Sequence, residues 1–261
     1  EPSPFQPLGT AEPPVGEDPS EPASPLPSPI DRPLLIRLGD QLGNDEPANW
    51  RLSIRANPHL MILGLPGMGK TTCLVNLCTQ LQAGGVIPIV FSYHEDIDRI
   101  LEQRLAPAPV LVRFEGLGFN PMEVADLGQH AYLDNVGMIR DIFAAVFPEL
   151  GDVQLGRLRE ALKQSYLEAG WKDKSRGAVP AFRRFVEILR NDPKGDRALN
   201  LRLQELEDYG LFDCTTGAQS LLDRPEPALI QIHASQNEAL QRAFSTFVLH
   251  NLYQSMFRRG V

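Results

Sequence analysis

Four residues at fixed spacing carry the chemistry that this chain offers most plainly. Gly64, Gly69, Lys70 and Thr71 fit the pattern G-x-x-x-x-G-K-[ST], inside the run Leu60-Met-Ile-Leu-Gly-Leu-Pro-Gly-Met-Gly-Lys-Thr-Thr72. A polyphosphate is held by backbone N–H groups, so side chains are best absent where the chain must wrap it, here at Gly64, Gly67 and Gly69. Leu65, Pro66 and Met68 complete the loop. A helix opening at Lys70 and running through Thr72 turns its unpaired N–H groups and positive dipole end toward the same anion. Lys70 would meet the β- and γ-phosphates, and the Thr71 hydroxyl would join the Mg²⁺ shell. The expected ligand is ATP with Mg²⁺; adenine is favoured over guanine because no Asn-Lys-x-Asp guanine-reading motif occurs. A glycine turn before a helix matches this pattern by chance on the order of once in a hundred chains of this length.

The elements that must position the loop follow from patterning. An apolar strand over Leu60–Gly64 leads into it. The helix Lys70–Gln82 leaves it and stops at Gly84-Gly85. Val86–Tyr93 is a mostly apolar run of strand length with Pro88 near its start, and Val110–Phe114 is a shorter one. Between them Asp96 is expected to cap a helix over Ile97–Leu105. This alternation implies an α/β sheet with parallel strands. Upstream, Leu34–Leu38 and Trp50–Ile54 read as two strands around a polar turn. Downstream, helical periodicity fills Tyr132–Phe147, Val153–Ala169, Val179–Asn191 and Arg197–Tyr209. Ala228–His233 returns to strand, and Glu238–Arg258 is a long helix. The division expected is a linker over 1–29, a first core part over 30–131, a helical insertion over 132–210 and a continuation of the core over 211–261.

Composition bounds the class. The 261 residues are 43% hydrophobic and 22% charged, ordinary for a globular protein, and no apolar run approaches a membrane span of about 20 residues. No signal peptide is visible, and the sequence begins at Glu1 rather than Met. Residues 1–29 hold ten prolines and five acids with no Lys or Arg. Such a segment buries too little to offset its ordering entropy and reads as a linker. It supplies five of the eight surplus negative charges, leaving −3 for the remainder. That balance does not advertise nucleic-acid binding, yet a ring-shaped motor can grip DNA with a few local basic loops. Three cysteines, Cys73, Cys78 and Cys214, make no disulfide framework and fit reduced thiols in a cytoplasmic protein.

The run from Asn57 to Thr72 resembles the opening of HerA/FtsK-type ATPases, a hexameric DNA-pumping branch of the RecA-like P-loop proteins. Gly118-Phe-Asn-Pro-Met122, the helical insertion after it, and the strand and long helix of residues 228–259 add to the resemblance, which covers roughly residues 33–261. The closer likeness is to HerA-like ATPases of bacterial DNA-modification and phage-defence clusters. The resemblance implies a RecA-like P-loop core with an all-helical insertion, double-stranded DNA as partner, a nuclease or modification enzyme beside it, and assembly into a homo-hexamer. Two departures matter. Ser92-Tyr93-His94-Glu95-Asp96 stands where the family carries an acidic Asp-Pro-Lys-Gly-Glu-like turn. No apolar strand ends in the Asp-Glu of a Walker B motif, which in the family would follow the long helix. The expectation is therefore an N-terminal portion of a longer ATPase with an incomplete sheet, whose Leu60–Gly64 strand has exposed edges.

Outside the loop, Glu95 lies at a strand's carboxyl end, where open α/β sheets bind ligands, and is the one candidate for orienting water beside Lys70. His59, His94, His130, His233 and His250 show no metal-binding spacing. Arg258-Arg259 offer an arginine finger to a neighbour or complement the helix end. Two functions compete: an ATP-driven DNA translocase or helicase motor, and a nucleotide-gated regulatory module without motor activity. A small-molecule kinase fits poorly with the long helical insertion.

Overall fold

The computed structural model describes residues 34–44, 46–53, 58–114, 117–124, 130–172, 175–214 and 220–259, without the side chains of residues 257 and 258. The proline-rich segment 1–29 lies outside them, as does residue 54, the end expected for the second strand.

Strands β1 (Leu34–Asp40) and β2 (Pro47–Leu52) form an antiparallel hairpin, Leu34 opposite Leu52 and Asp40 opposite Pro47, with a register irregularity between Arg37 and Gly39. Helix α1 (Lys70–Ala83) ends before Gly84-Gly85 as the sequence predicts. The hairpin docks on α1 through one amide. Arg37 N donates to Gln80 Oε1 at 2.8 Å, and Gln80 Nε2 donates to Arg37 O at 3.0 Å, so a helix side chain satisfies a strand backbone.

Strands β3 (Ile89–Ser92), β4 (Val110–Val112) and β5 (Ala228–Gln231) form a parallel sheet in the order β3-β5-β4. The register sets Ile89 and Val110 beside Ala228. β5 is buried at all four positions, as the central strand of a covered parallel sheet should be. Alternation divides its side chains. Leu229 joins Val75 and Cys78 of α1 and Leu101 and Leu105 of the next helical segment. Ala228 and Ile230 enter the larger core on the opposite face. Helix α2 (Glu95–Arg104) shares the α1 layer.

The larger core belongs to α3 (Ala131–Val146), α4 (Asp152–Glu168), α5 (Arg183–Asn191), α6 (Arg197–Glu207) and α7 (Glu238–Arg258). At its centre Phe143, Phe182, Phe185, Phe212 and Phe247 meet with ring centroids 5.2–6.4 Å apart, mostly edge to face. The turn Asn120-Pro121-Met122 ties these helices to the end of β4. Asn120 Nδ2 donates to Pro180 O, Asn135 Nδ2 to Pro121 O and Tyr166 Oη to Met122 O, at 2.7–2.9 Å. Asn120 and Met122 are fully buried, so this family-like motif acts here as an anchor.

Several expectations need correction. Leu60–Gly64 pairs with no described strand; Met61 and Leu63 stand 78% and 81% exposed. The apolar run has strand composition, but strand pairing needs a neighbour, and β3, β4 and β5 pair only with one another. The Val86–Tyr93 strand shortens to four residues, because Pro88 has no N–H to place in the ladder and supplies only its carbonyl, to Ala228 N. The Val179–Asn191 helix starts at Arg183, since Pro180 disfavours helical backbone at the residue before it. The second helix begins at Glu95 with His94 in the cap position and no side-chain cap bond. Asp96 instead sits in the first turn, where its charge faces the positive end of the helix.

Candidate functional site

The loop between residue 64 and α1 has the backbone that phosphate binding requires. Gly67 and Gly69 both lie at φ 79°, a left-handed conformation strained for any other residue. Gly69 occupies the cap position of α1 with no side-chain cap. Met68 N reaches Leu65 O at 3.3 Å, closing a turn, and the first helical bond runs from Cys73 N to Gly69 O at 2.9 Å. The N–H groups of Gly69, Lys70, Thr71 and Thr72 therefore precede the first intrahelical donor and are available to an anion. No acidic residue lies in the first turn to compete with it.

Lys70 folds back over this nest. Its Nζ donates to Gly64 O at 2.8 Å and Leu65 O at 2.9 Å. The ammonium is thus held across the loop, by carbonyls that a phosphate oxygen could replace. Thr71 and Thr72 are exposed in the same turn. This donor set fits ATP with Mg²⁺: Gly64–Thr72 would hold the phosphates, and Thr71 Oγ1 would offer one hydroxyl to the metal. The flanking side chains are open to solvent, with Leu65 and Met68 about 70% exposed.

Glu95, the candidate for orienting water, is the first residue of α2. Its carboxylate accepts from Arg99 Nη2 at 2.6 Å and is 64% exposed. That hydrogen bond, with the charge of Glu95 behind it, raises the Arg99 guanidinium above its ordinary range. Glu95 is thus ion-paired along its own helix rather than with Lys70 or Thr71. At the far end of α7, Arg259 Nη2 donates to Asp223 Oδ1 at 2.5 Å and to Leu222 O, an intramolecular tie.

A polar network at the carboxyl ends of the strands was not foreseen. Asp98 of α2 is almost wholly buried. Its Oδ2 receives Gln231 Nε2 and makes a hydrogen bond with His233 Nε2, each at 2.7 Å, and Gln231 Oε1 receives Arg113 Nε at 2.8 Å. Ser92, at the end of β3, is buried and donates to His94 O. One signal could have found it: β3 and β5 end in the polar residues Ser92 and Gln231, and β4 is followed directly by Arg113, at the strand ends where ligands and their supports gather in open sheets. Among the described residues no cluster of three His, Cys, Asp or Glu side chains could hold a metal ion. No described helix is long and apolar enough to cross a membrane.

No protein-family model and no curated protein sequence matches the chain. Among solved structures it is similar to VirB4 of Thermoanaerobacter pseudethanolicus, with a TM-score of 0.66 and 19% identity over 85% of this chain. The match spans 64% of that chain's length. The likeness is one of fold. This chain and VirB4 share a mixed α/β architecture.

Proposed function

We propose that this chain is the ATP-binding part of a HerA/FtsK-like motor of RecA-like architecture that translocates or opens double-stranded DNA, in homo-oligomeric assembly. A nuclease or modification enzyme of a defence or DNA-processing system would act beside it. The observation that carries the nucleotide reading is Lys70 poised across a loop whose two left-handed glycines leave its N–H groups free for phosphate. Bound Mg²⁺ would supply charge neutralisation at the β- and γ-phosphates. The chain's own part is to orient those phosphates by backbone N–H groups, offer Lys70 to them and present Thr71 Oγ1. The VirB4-like fold supports a distant P-loop motor, and the sequence resemblance carries the DNA reading.

One observation favours the second reading, a nucleotide-gated module. None of the three parallel strands ends in a carboxylate pair: the residues after or at their ends are Ser92, Arg113 and Gln231. A motor needs a carboxylate to polarise the attacking water. Steady-state phosphate release with and without duplex DNA separates the two. DNA-stimulated turnover that disappears in Glu95→Gln supports the motor, with Glu95 as its base. Tight ATP binding with no turnover under either condition supports the gated module for this chain.

A further inference from the structure

A cavity of about 220 Å³ opens at the outer edge of β4 between the turn Leu117–Phe119, the short helical turn Leu221–Asp223 and α7. None of the phosphate-loop residues lines it. Leu111, Phe119 and Val248 give it apolar walls, while Arg113, Arg224 and Asn251 bring N–H donors. No acidic side chain lines it among the described residues.

The two arginines are held unequally. Arg113 is anchored through Nε on Gln231 Oε1. The direction of the Gln231 amide is fixed in turn, because its Nε2 donates to the buried Asp98 carboxylate. Asp98 thereby orients the Arg113 guanidinium through the Gln231 amide. Arg224 has the opposite status. Its Nε is buried and, among the described residues, has no hydrogen-bond partner. An unmade hydrogen bond at a buried charged group costs at least as much as at a neutral one, so the site lacks an acceptor. The acid next to it in sequence, Asp223, is already tied to Arg259.

We infer that this cavity is a second anion site, in which a phosphate group is gripped between Arg113 and Arg224. The volume decides the class. It falls below the roughly 300–1,000 Å³ of pockets that take a whole drug-sized ligand, yet holds the share of about seven waters. A single phosphate group with its remaining hydration fits; a complete nucleotide does not. Two planar guanidinium groups suit a tetrahedral oxyanion, each offering a fork of N–H donors. The phosphate can be free or part of a nucleic-acid backbone.

The test uses the full chain carrying Lys70→Ala, so that the phosphate loop cannot supply the signal. Inorganic phosphate is titrated by calorimetry, and a short labelled DNA duplex by fluorescence anisotropy. Arg224→Gln and Arg113→Gln are compared with Arg37→Gln, an exposed arginine on β1. The expected result is that at least one probe binds at least tenfold more weakly in both cavity variants, while Arg37→Gln changes little. A loss seen with inorganic phosphate identifies a free phosphate ligand, and a loss confined to the duplex identifies the DNA backbone. Arg113→Gln removes an exposed side chain and carries the test if Arg224→Gln does not fold by circular dichroism. Absence of binding by both probes, or affinities equal across the folded variants, overturns the site. Failure of the phosphate-loop reading would show separately, as ATP affinity unchanged by Lys70→Ala.

Discussion

At the scale of single residues, Lys70 concentrates the functional reading. In the structure its ammonium is satisfied by the carbonyls of Gly64 and Leu65, so in the proposed function nucleotide binding would exchange two neutral acceptors for charged phosphate oxygens. That exchange strengthens each hydrogen bond. Lys70→Ala is expected to weaken Mg-ATP binding by about 2–4 kcal/mol, on the scale of truncating one partner of a charge-assisted contact. Calorimetry checks it, and the fold should persist, since the carbonyls released belong to exposed residues that water can reach. His250 is the contrasting residue. Burial in α7 pushes its imidazole down to about 4. The unfolded chain then binds the proton more readily between about 4 and its ordinary value near 6.5. The stability contributed by neutral His250 is full above about 6.5 and is lost as pH falls from there to about 4, up to roughly 3 kcal/mol. Denaturant midpoints at pH 7.5 and 4.5 should differ more for the wild type than for His250→Leu, which cannot titrate.

At the scale of elements, Tyr166 shows how the helices hold the sheet. Its hydroxyl donates to Met122 O and accepts from Asn135 Nδ2, both at 2.7 Å, so one group ties α4, α3 and the turn after β4. Desolvation there raises the phenol well above its ordinary range, keeping it a neutral donor. Tyr166→Phe leaves a buried carbonyl and a buried amide each short of a partner and should cost about 1–3 kcal/mol, read from urea unfolding. The same elements show what the sequence could reveal. Helices α3, α4 and α6 were legible from the helical spacing of their apolar residues, α7 as a long run rich in Leu, Phe and Tyr, and α1 because glycines bound it at both ends. The glycine turn before α1 was legible because the residues that shape it are adjacent in sequence. Leu60–Gly64 misled, because an apolar run records that a strand wants partners and says nothing of which are present. The Asp98–Gln231–His233 network was illegible for another reason: Asp98 lies more than 130 residues before Gln231 and His233 and meets them only once β5 has entered the sheet.

At the scale of the whole molecule, the two layers flanking the sheet are very unequal. On one side five helices share a continuous aromatic and aliphatic core. On the other, the layer of α1 and α2 rests on Val75, Cys78, Leu101, Leu105 and Leu229, with a few half-buried neighbours. Cohesion follows buried apolar area, so the two sides have different free energies of opening. The thin side acts as a fuse: α1 and α2 should exchange their amide hydrogens through local opening well before α3, α4 and α7, whose exchange requires near-global unfolding. A ligand that bridges Gly64–Thr72 closes that gap, because it binds only where α1 is folded, and at a hundredfold excess over its dissociation constant it adds about 2.7 kcal/mol to that side. Hydrogen exchange with and without Mg-ATP would then show α1 slowing toward the rate of the helical side. The least cohesive layer of the protein is thus the one whose cohesion a nucleotide held at Gly64–Thr72 would set.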